Sequence, residues 1–380
     1  MTFDFDRPIE RRDTDSQKWQ KYAGKDVLPL WVADMDFAVS PSIVAALHRR
    51  VDEAVFGYAR PLKHTTEVMV AAMKSRYGWD IQPEWIVWLP GLVCGLNVIS
   101  RAFAAPGEEV MSLTPVYPPF QLGPKYQDRA AVPVPLVLQN GQWLIDWEAC
   151  AQAITPKTKL FYFCHPHNPI ARVWRNAELV KLAEFCERHH LILCSDEIHC
   201  DLIIEPSLNP HIPAAVAAPG FTSTITLMAP SKAYNVPGLS TSFAIIPDAQ
   251  LRARFAQETR GIVAEVTSLG FTACEAAYDG SSELWREALL TYLRGNRDLL
   301  LSTLARDLPG IKIEAPIEAT YLAWMNVEAL GLANPLAHFE SKGVGLSDGA
   351  PFGAPPGKYI RINFGCTKAT LTEALRRMKS

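Results

Sequence analysis

The sequence predicts an α/β protein: a mostly parallel sheet with helices on both faces, joined to a smaller α+β domain. Three observations carry this reading. From residue 84 to about 245, short apolar runs alternate with segments of helical period, the pattern of parallel strands linked by crossover helices. The polar residues that end these runs stand just past the strands' carboxyl ends, where open α/β sheets gather their ligand-binding groups. Helices then dominate from about 248 to 307, and the tail alternates strand-like and helical stretches.

Residues 1–40 read as an irregular arm ending in LPLWVADMDFAVSP. Ser40-Pro41 make a helix start, with Ser as N-cap and Pro at the first helical position. That helix spans about 41–54, with Ile43, Ala46, Leu47 and Val51 on one face. A second, over 65–77, turns Val68, Met69, Ala72 and Met73 inward and stops at Gly78. EWIVWLP then reads as a strand, Gly91 as a turn and LVCGLNVISRAFA as a helix. The strands EEVMSLT and AAVPVPLVL, the helix WEACAQAI and the strand KLFYFC follow. A helix over 176–190, with Asn176 as cap, buries Leu179, Leu182, Ala183 and Cys186. After LILCS and TITLM, the segment STSFAIIP adds a further strand. The tail supplies IKIEAP, ATYLAWMNV, a helix from Asn334, YIRINFG and a terminal helix.

Composition is ordinary for a globular chain, 48% hydrophobic and 20% charged, with a net charge of −3 and no Lys/Arg-rich block. Nothing here favours nucleic acid or an anionic membrane surface. The N-terminus is polar and of mixed charge, unlike a signal peptide, and no stretch of about 18 apolar residues is present. The eight cysteines form no C-x-x-C pair and read as small buried thiols. A cytoplasmic protein of a reducing compartment is expected. His165, His167 and the His189-His190 pair lack metal-ligand spacing.

Three strand ends carry the chemistry. KLFYFC leads into Asn168, LILCS ends in Asp196, and TITLMAP ends in Ser231-Lys232. Asp196 and Lys232 are roughly one strand–connection–strand unit apart. An Asn, an Asp and a Lys converging on one crevice suit pyridoxal 5'-phosphate (PLP): the Lys bonds to the cofactor aldehyde and the Asp pairs with its pyridinium nitrogen.

At this point the chain resembles a known family. RRDTDSQKW (11–19), LPLWVADMDF (28–37), FGY (56–58), VYPPF (116–120), PHNP (166–169), SDEIHCDL (195–202), APSKAYNVPGL (229–239), ATYLAW (319–324) and YIRINFGC (359–366) occur in the expected order. They are similar to stretches of fold-type I PLP enzymes of the aminotransferase class I/II group. The match is narrower still to its MalY/PatB-type cystathionine β-lyase (C–S lyase) branch. The resemblance implies a PLP-dependent transferase fold of type I. It implies an arm over 1–45 packed on the small domain, a large PLP-binding domain over 46–285, and a small C-terminal domain over 286–380. It also implies a homodimer with composite active sites.

The resemblance assigns roles residue by residue. Lys232 would be the Schiff-base lysine, a role that needs a neutral amine; a solvated loop lysine is the plain alternative. Asp196 would keep the ring nitrogen protonated, although an Asp after a strand also serves as a helix cap. His199 and the Asn168 amide would face the ring's 3-oxygen, where a simply buried His and a turn-forming Asn-Pro compete with those roles. Tyr117 would stack on the ring unless it is a core anchor. The N–H groups of Gly91, Leu92 and Val93 and the Ser231 hydroxyl would hold the phosphate, with Tyr58 reaching in from a neighbouring subunit. Arg361 would clamp the substrate carboxylate, and Trp31 and Asp34 would line the pocket. Ile170-Ala171 departs from the glycine that usually follows Asn-Pro, so the local turn is expected to differ. The implied activity is cleavage of L-cystathionine or related cysteine S-conjugates to a thiol, pyruvate and ammonia. An amino-acid aminotransferase uses the same residues, and a non-catalytic regulator on this fold is a further alternative, lacking here any spare DNA-binding segment.

Overall fold

The computed structural model describes residues 3–208 and 211–379. Its centre is a seven-stranded sheet whose strands lie, edge to edge, in the order Ile86–Leu89, Ser242–Ile245, Thr224–Met228, Ile192–Asp196, Thr158–Cys164, Glu109–Thr114 and Ala130–Pro135. The last five run parallel to one another, whereas Ser242–Ile245 pairs antiparallel with both of its neighbours. The strand from STSFAIIP thus enters the main sheet and turns its direction at one edge.

Period-two alternation feeds two cores. Leu160, Tyr162 and Cys164 face one side, with Leu96, Ile99 and Phe103 of the helix Leu92–Phe103. Phe161 and Phe163 face the other, against Leu179, Leu182 and Phe185 of the helix Asn176–Arg188. A sheet covered on both faces needs strands that are apolar throughout, and the KLFYFC run is such a strand.

Most predicted helices form where expected. Pro41–Asp52 starts with the Ser40 hydroxyl accepting from the Ser42 N–H, and Lys63–Tyr77 ends at a left-handed Gly78. Val51, however, lies exposed, since this helix buries a narrower stripe of Ile43 and Ala46. Asn176 is the first helical residue and not the cap: the position before it, Arg175, donates its N–H to the Glu178 carboxylate. Two elements escape the pattern. Pro119–Tyr126 is a helix despite Pro124 in its interior, and Val137–Gln139 with Gln142–Leu144 make a hairpin. IKIEAP contributes an isolated bridge, Lys312 to Asn326, in place of a strand.

The C-terminal third builds a three-stranded sheet around Tyr359–Asn363, flanked by Leu322–Asn326 and Ser347–Asp348. The arm is less irregular than expected: it holds a short helix, Gln17–Gln20, and a two-residue strand, Leu28–Pro29, parallel to Val344–Gly345. No helix among the described residues is long and apolar enough to cross a membrane. All eight cysteines are free, and seven are buried.

Candidate active site

Strand register brings the three chemical strand ends side by side. Cys164 pairs with Asp196, and Asp196 pairs with Leu227, so the loops carrying Asn168 and Lys232 leave the sheet on either side of Asp196. Asp196 is buried, and among the described residues its carboxylate accepts only the Ile198 N–H. Removal from water, with Glu197 adding repulsion, pushes its carboxyl up to about 7, against the Ile198 hydrogen bond and the Lys232 charge.

Lys232 is partly exposed, and its Nζ donates to the Ala33 carbonyl at 2.7 Å. Its surroundings pull the ammonium down to about 8, chiefly by desolvation; Arg361 adds to this, and Asp34 and Asp196 oppose it. His199 is buried and held neutral, down to about 3, by desolvation and the nearby Lys232 and Arg361 charges. Among the described residues its Nδ1 has no hydrogen-bond partner. Tyr117 donates its backbone N–H to the Asn168 carbonyl, and its ring lies within the fields of Arg361 and Asp196.

Arg361 arrives from the opposite side, on the strand Tyr359–Asn363. Its guanidinium donates to Asn168 Oδ1 at 2.8 Å, to the Trp31 carbonyl at 2.9 Å and to the Ser347 hydroxyl at 3.4 Å. Its face lies over the Phe352 ring, 4.7 Å from the centroid. It is buried and, among the described residues, has no carboxylate within ion-pair distance and an unpartnered Nε, so desolvation lowers it to about 10. Two buried charges of opposite sign, Asp196 and Arg361, thus lack ionic partners within the described residues. A buried charge without a partner is costly, and sites retain one where a ligand brings its complement.

The other expected residues divide. Gly91 stands before the helix Leu92–Phe103 with no side-chain cap, leaving the first-turn N–H groups of Leu92 and Val93 open to an anion, and Val93 is exposed. Ser231 is half-buried beside Lys232. Tyr58 is not brought into the site by its own chain: it stands fully in solvent within an exposed stretch, Val55 to Leu62. Trp31 spends its indole N–H on the Lys18 carbonyl, and Asp34 is ion-paired with Arg11 at 2.9 Å. The carbonyls of the WVADMDF segment do more here than its side chains suggest. Ala33 accepts from both Lys232 and Tyr321, Val32 and Asp34 accept from Asn363, and Met35 and Phe37 accept from Asn235. Asn235 and Tyr321 sat in the quoted motifs APSKAYNVPGL and ATYLAW without a role. Their position beside Lys232 and in front of an apolar strand was the available signal.

The turn after Asn168 keeps a left-handed backbone without glycine. Ala171 takes φ 58°, donates to the His167 carbonyl and accepts from Glu318 and Ala319. Ala171 thus holds a backbone conformation that L-residues rarely adopt.

Residues 25–378 match the family described as aminotransferase class I and II. The chain belongs to that family. Among its class I and II relatives, cystathionine β-lyase PatB of Bacillus subtilis (strain 168) is 37% identical over 386 residues, covering 99% of each chain. The crystal structure of OvoB superposes with a TM-score of 0.94 at 44% identity, covering 99% of this chain and 98% of the other. A PLP-bound C–S lyase from Staphylococcus hominis gives a TM-score of 0.92 at 30% identity, covering 100% and 98%. The class I and II fold thus extends over the whole chain at high structural similarity.

Proposed function

We propose that this chain is a PLP-dependent C–S β-lyase that cleaves L-cystathionine or a related cysteine S-conjugate to a thiol, pyruvate and ammonia. The observation that carries the reading is the pair of unpartnered buried charges flanking Lys232. A cationic ring nitrogen would complete Asp196, and a substrate carboxylate would complete Arg361. The residues fit the cofactor on chemical grounds: an acid at one strand end, a depressed lysine at the next, and an uncapped helix start for a phosphate.

When bound, PLP supplies the electron sink that makes the substrate Cα–H acidic. The chain's own groups do the rest. Arg361 binds the substrate carboxylate with the donors it has left, and its contact to Asn168 Oδ1 leaves the Asn168 amide free to donate toward the cofactor. His199, neutral and buried beside Lys232, holds no competing positive charge. Lys232 Nζ, poised near neutrality, takes the proton from Cα, and loss of the β-sulfur follows. Tyr117 would stack on the ring, and the 31–37 segment lies behind Lys232, with the Ala33 carbonyl accepting from its Nζ.

The division into an arm (1–45), a large domain (46–285) and a small domain (286–380) belongs to the same reading. So does a homodimer: a tyrosine standing fully in water inside an apolar stretch, with Phe56 and Leu62 also exposed, supports a partner subunit receiving it. An aminotransferase would use the same groups and differs in whether the β-substituent leaves. Purified protein given L-cystathionine therefore decides the matter when pyruvate and the cofactor spectrum are followed together. Continuous pyruvate release, abolished together with the lysine-bound cofactor band in Lys232→Ala, is expected. A cofactor that stalls in its amine form until a keto acid is added would overturn the lyase.

A further inference from the structure

Two cations of the N-terminal arm, Arg11 and Lys18, lie outside the proposed machinery. Lys18 is fully buried, an unusual place for a lysine. Its Nζ contacts Asp36 Oδ2 at 2.7 Å and the Asp34 carbonyl at 3.2 Å, and lies 3.7 Å from Asp34 Oδ1. Arg11 straddles the same two acids, reaching Asp34 Oδ2 at 2.9 Å and Asp36 Oδ1 at 2.7 Å, and donates to the Met35 carbonyl. The Trp19 indole adds a third donor to Asp36. Four charges in alternating array thus fix both acids of the WVADMD segment, and burial makes such a network rigid where an exposed one would be loose.

This fixation points at Lys232. Between the two clamped acids and Trp31 lies Ala33, whose carbonyl is the acceptor of Lys232 Nζ and of the Tyr321 hydroxyl. Among the described residues the buried Asp34 Oδ1 has no hydrogen-bond donor and lies only 3.7 Å from Lys18 Nζ, so its charge is only partly spent on Arg11 and Lys18. The groups whose fields reach Lys232 are Asp34 on this segment, Asp196 and His199 at the sheet end, and Arg361 from the C-terminal sheet. Among the carboxylates, Asp34 exerts the larger pull. We propose that Arg11 and Lys18 are positioning residues that act through Asp34 and the Ala33 carbonyl to set how tightly the Lys232 nitrogen holds its proton.

The inference rests on the PLP reading, and it makes a sign prediction that a merely structural role does not. Asp34→Asn removes a negative charge near Lys232 Nζ and lowers its proton affinity. Arg11→Met leaves the Asp34 charge less neutralised and raises it. Arg11 is the variant of choice because it is partly exposed, whereas Lys18→Met empties a buried partner of Asp36 and endangers folding.

The test titrates the holoenzyme and follows the pH midpoint at which the visible band of the cofactor on Lys232 changes. The expected result is a fall of about one pH unit in Asp34→Asn, and a smaller rise in Arg11→Met, for a charge at this range in a partly screened site. In the double variant the Arg11 substitution is expected to move the midpoint no further than Asp34→Asn alone, since its effect passes through Asp34. Conservative Arg11→Lys restores the wild-type midpoint. Shifts of the same sign, no shifts in folded protein, or an Arg11 effect that persists when Asp34 is Asn would each overturn the inference while leaving the lyase reading intact. A wild-type holoenzyme without any band on Lys232 would overturn both.

Discussion

Replacing Arg361 by Lys keeps the positive charge and removes the fork. The guanidinium divides its donors among Asn168 Oδ1, the Trp31 carbonyl and the Ser347 hydroxyl, and holds Nε in reserve. A lysine ammonium offers a single point of charge, so it cannot reach Asn168, Trp31 and a substrate carboxylate together. Losing one arm of a charge-assisted pair costs about 1.5–3 kcal/mol, and an Asn168 oxygen left unpaired in the interior adds about 1 kcal/mol. The sum, about 2.5–4 kcal/mol, corresponds to a fall in kcat/KM of roughly 10²- to 10³-fold. Steady-state kinetics with L-cystathionine would measure this, with the cofactor absorbance recorded on the same preparation to show that the site is still loaded. Because Arg361 would hold the substrate through the reaction, the loss should fall mainly on KM, with a smaller drop in kcat from misorientation. A loaded variant that retains more than a tenth of the wild-type kcat/KM would refute the assignment of the substrate carboxylate to Arg361.

Two further substitutions test the site's electrostatics and its backbone. Asp196 has its folded pKa raised to about 7 by burial, so in cofactor-free protein stability is lost as pH rises from about 4 and the loss is complete above about 7. Asp196→Asn should therefore raise the melting temperature of the cofactor-free protein at pH 8 and leave it nearly unchanged at pH 4, while destroying lyase activity. An equal effect at both pH values would contradict the buried, ionised carboxylate. Ala171→Gly exchanges a left-handed strain of about 1–2 kcal/mol for the extra freedom of glycine in the unfolded chain, about 0.5–1 kcal/mol. Denaturant unfolding should find the variant equally stable or about 1 kcal/mol more stable, and a clear loss would show that the Ala171 methyl group contributes packing that outweighs its backbone.

The main sheet was legible because its strands are apolar throughout and end in chemistry: Asn168, Asp196 and Lys232 emerge where their runs stop. Arg361 was legible only through the family resemblance that YIRINFGC carries, since a strand arginine beside aromatics reads by itself as a surface residue. The helix Pro119–Tyr126 was not, since Pro124 argues against helix locally and tertiary packing against the Leu92–Phe103 helix and the Ala130–Pro135 strand overrides it. The exposure of Val51 likewise depends on how far the neighbouring helices reach, which periodicity does not encode. Backbone roles were the least visible. The Ala33 carbonyl faces Lys232 with no side chain to announce it, and Arg11 and Lys18 look like ordinary surface cations until the arm is folded back onto the molecule.

The path of that arm has a consequence for synthesis. Ala33 and Tyr321 meet across 288 positions, and Val32 and Asn363 across 331. A ribosome delivers the wall behind the lysine long before the residues that secure it. The central sheet is completed at Ile245 while the arm still waits for Tyr321, Val344 and Asn363. A nascent chain can thus raise its sheet early, but the pocket stays open until Asn363 has emerged. Cofactor retention then requires synthesis to have passed Asn363, and a chain truncated before Asn363 would keep its lysine and lose the enclosure around it.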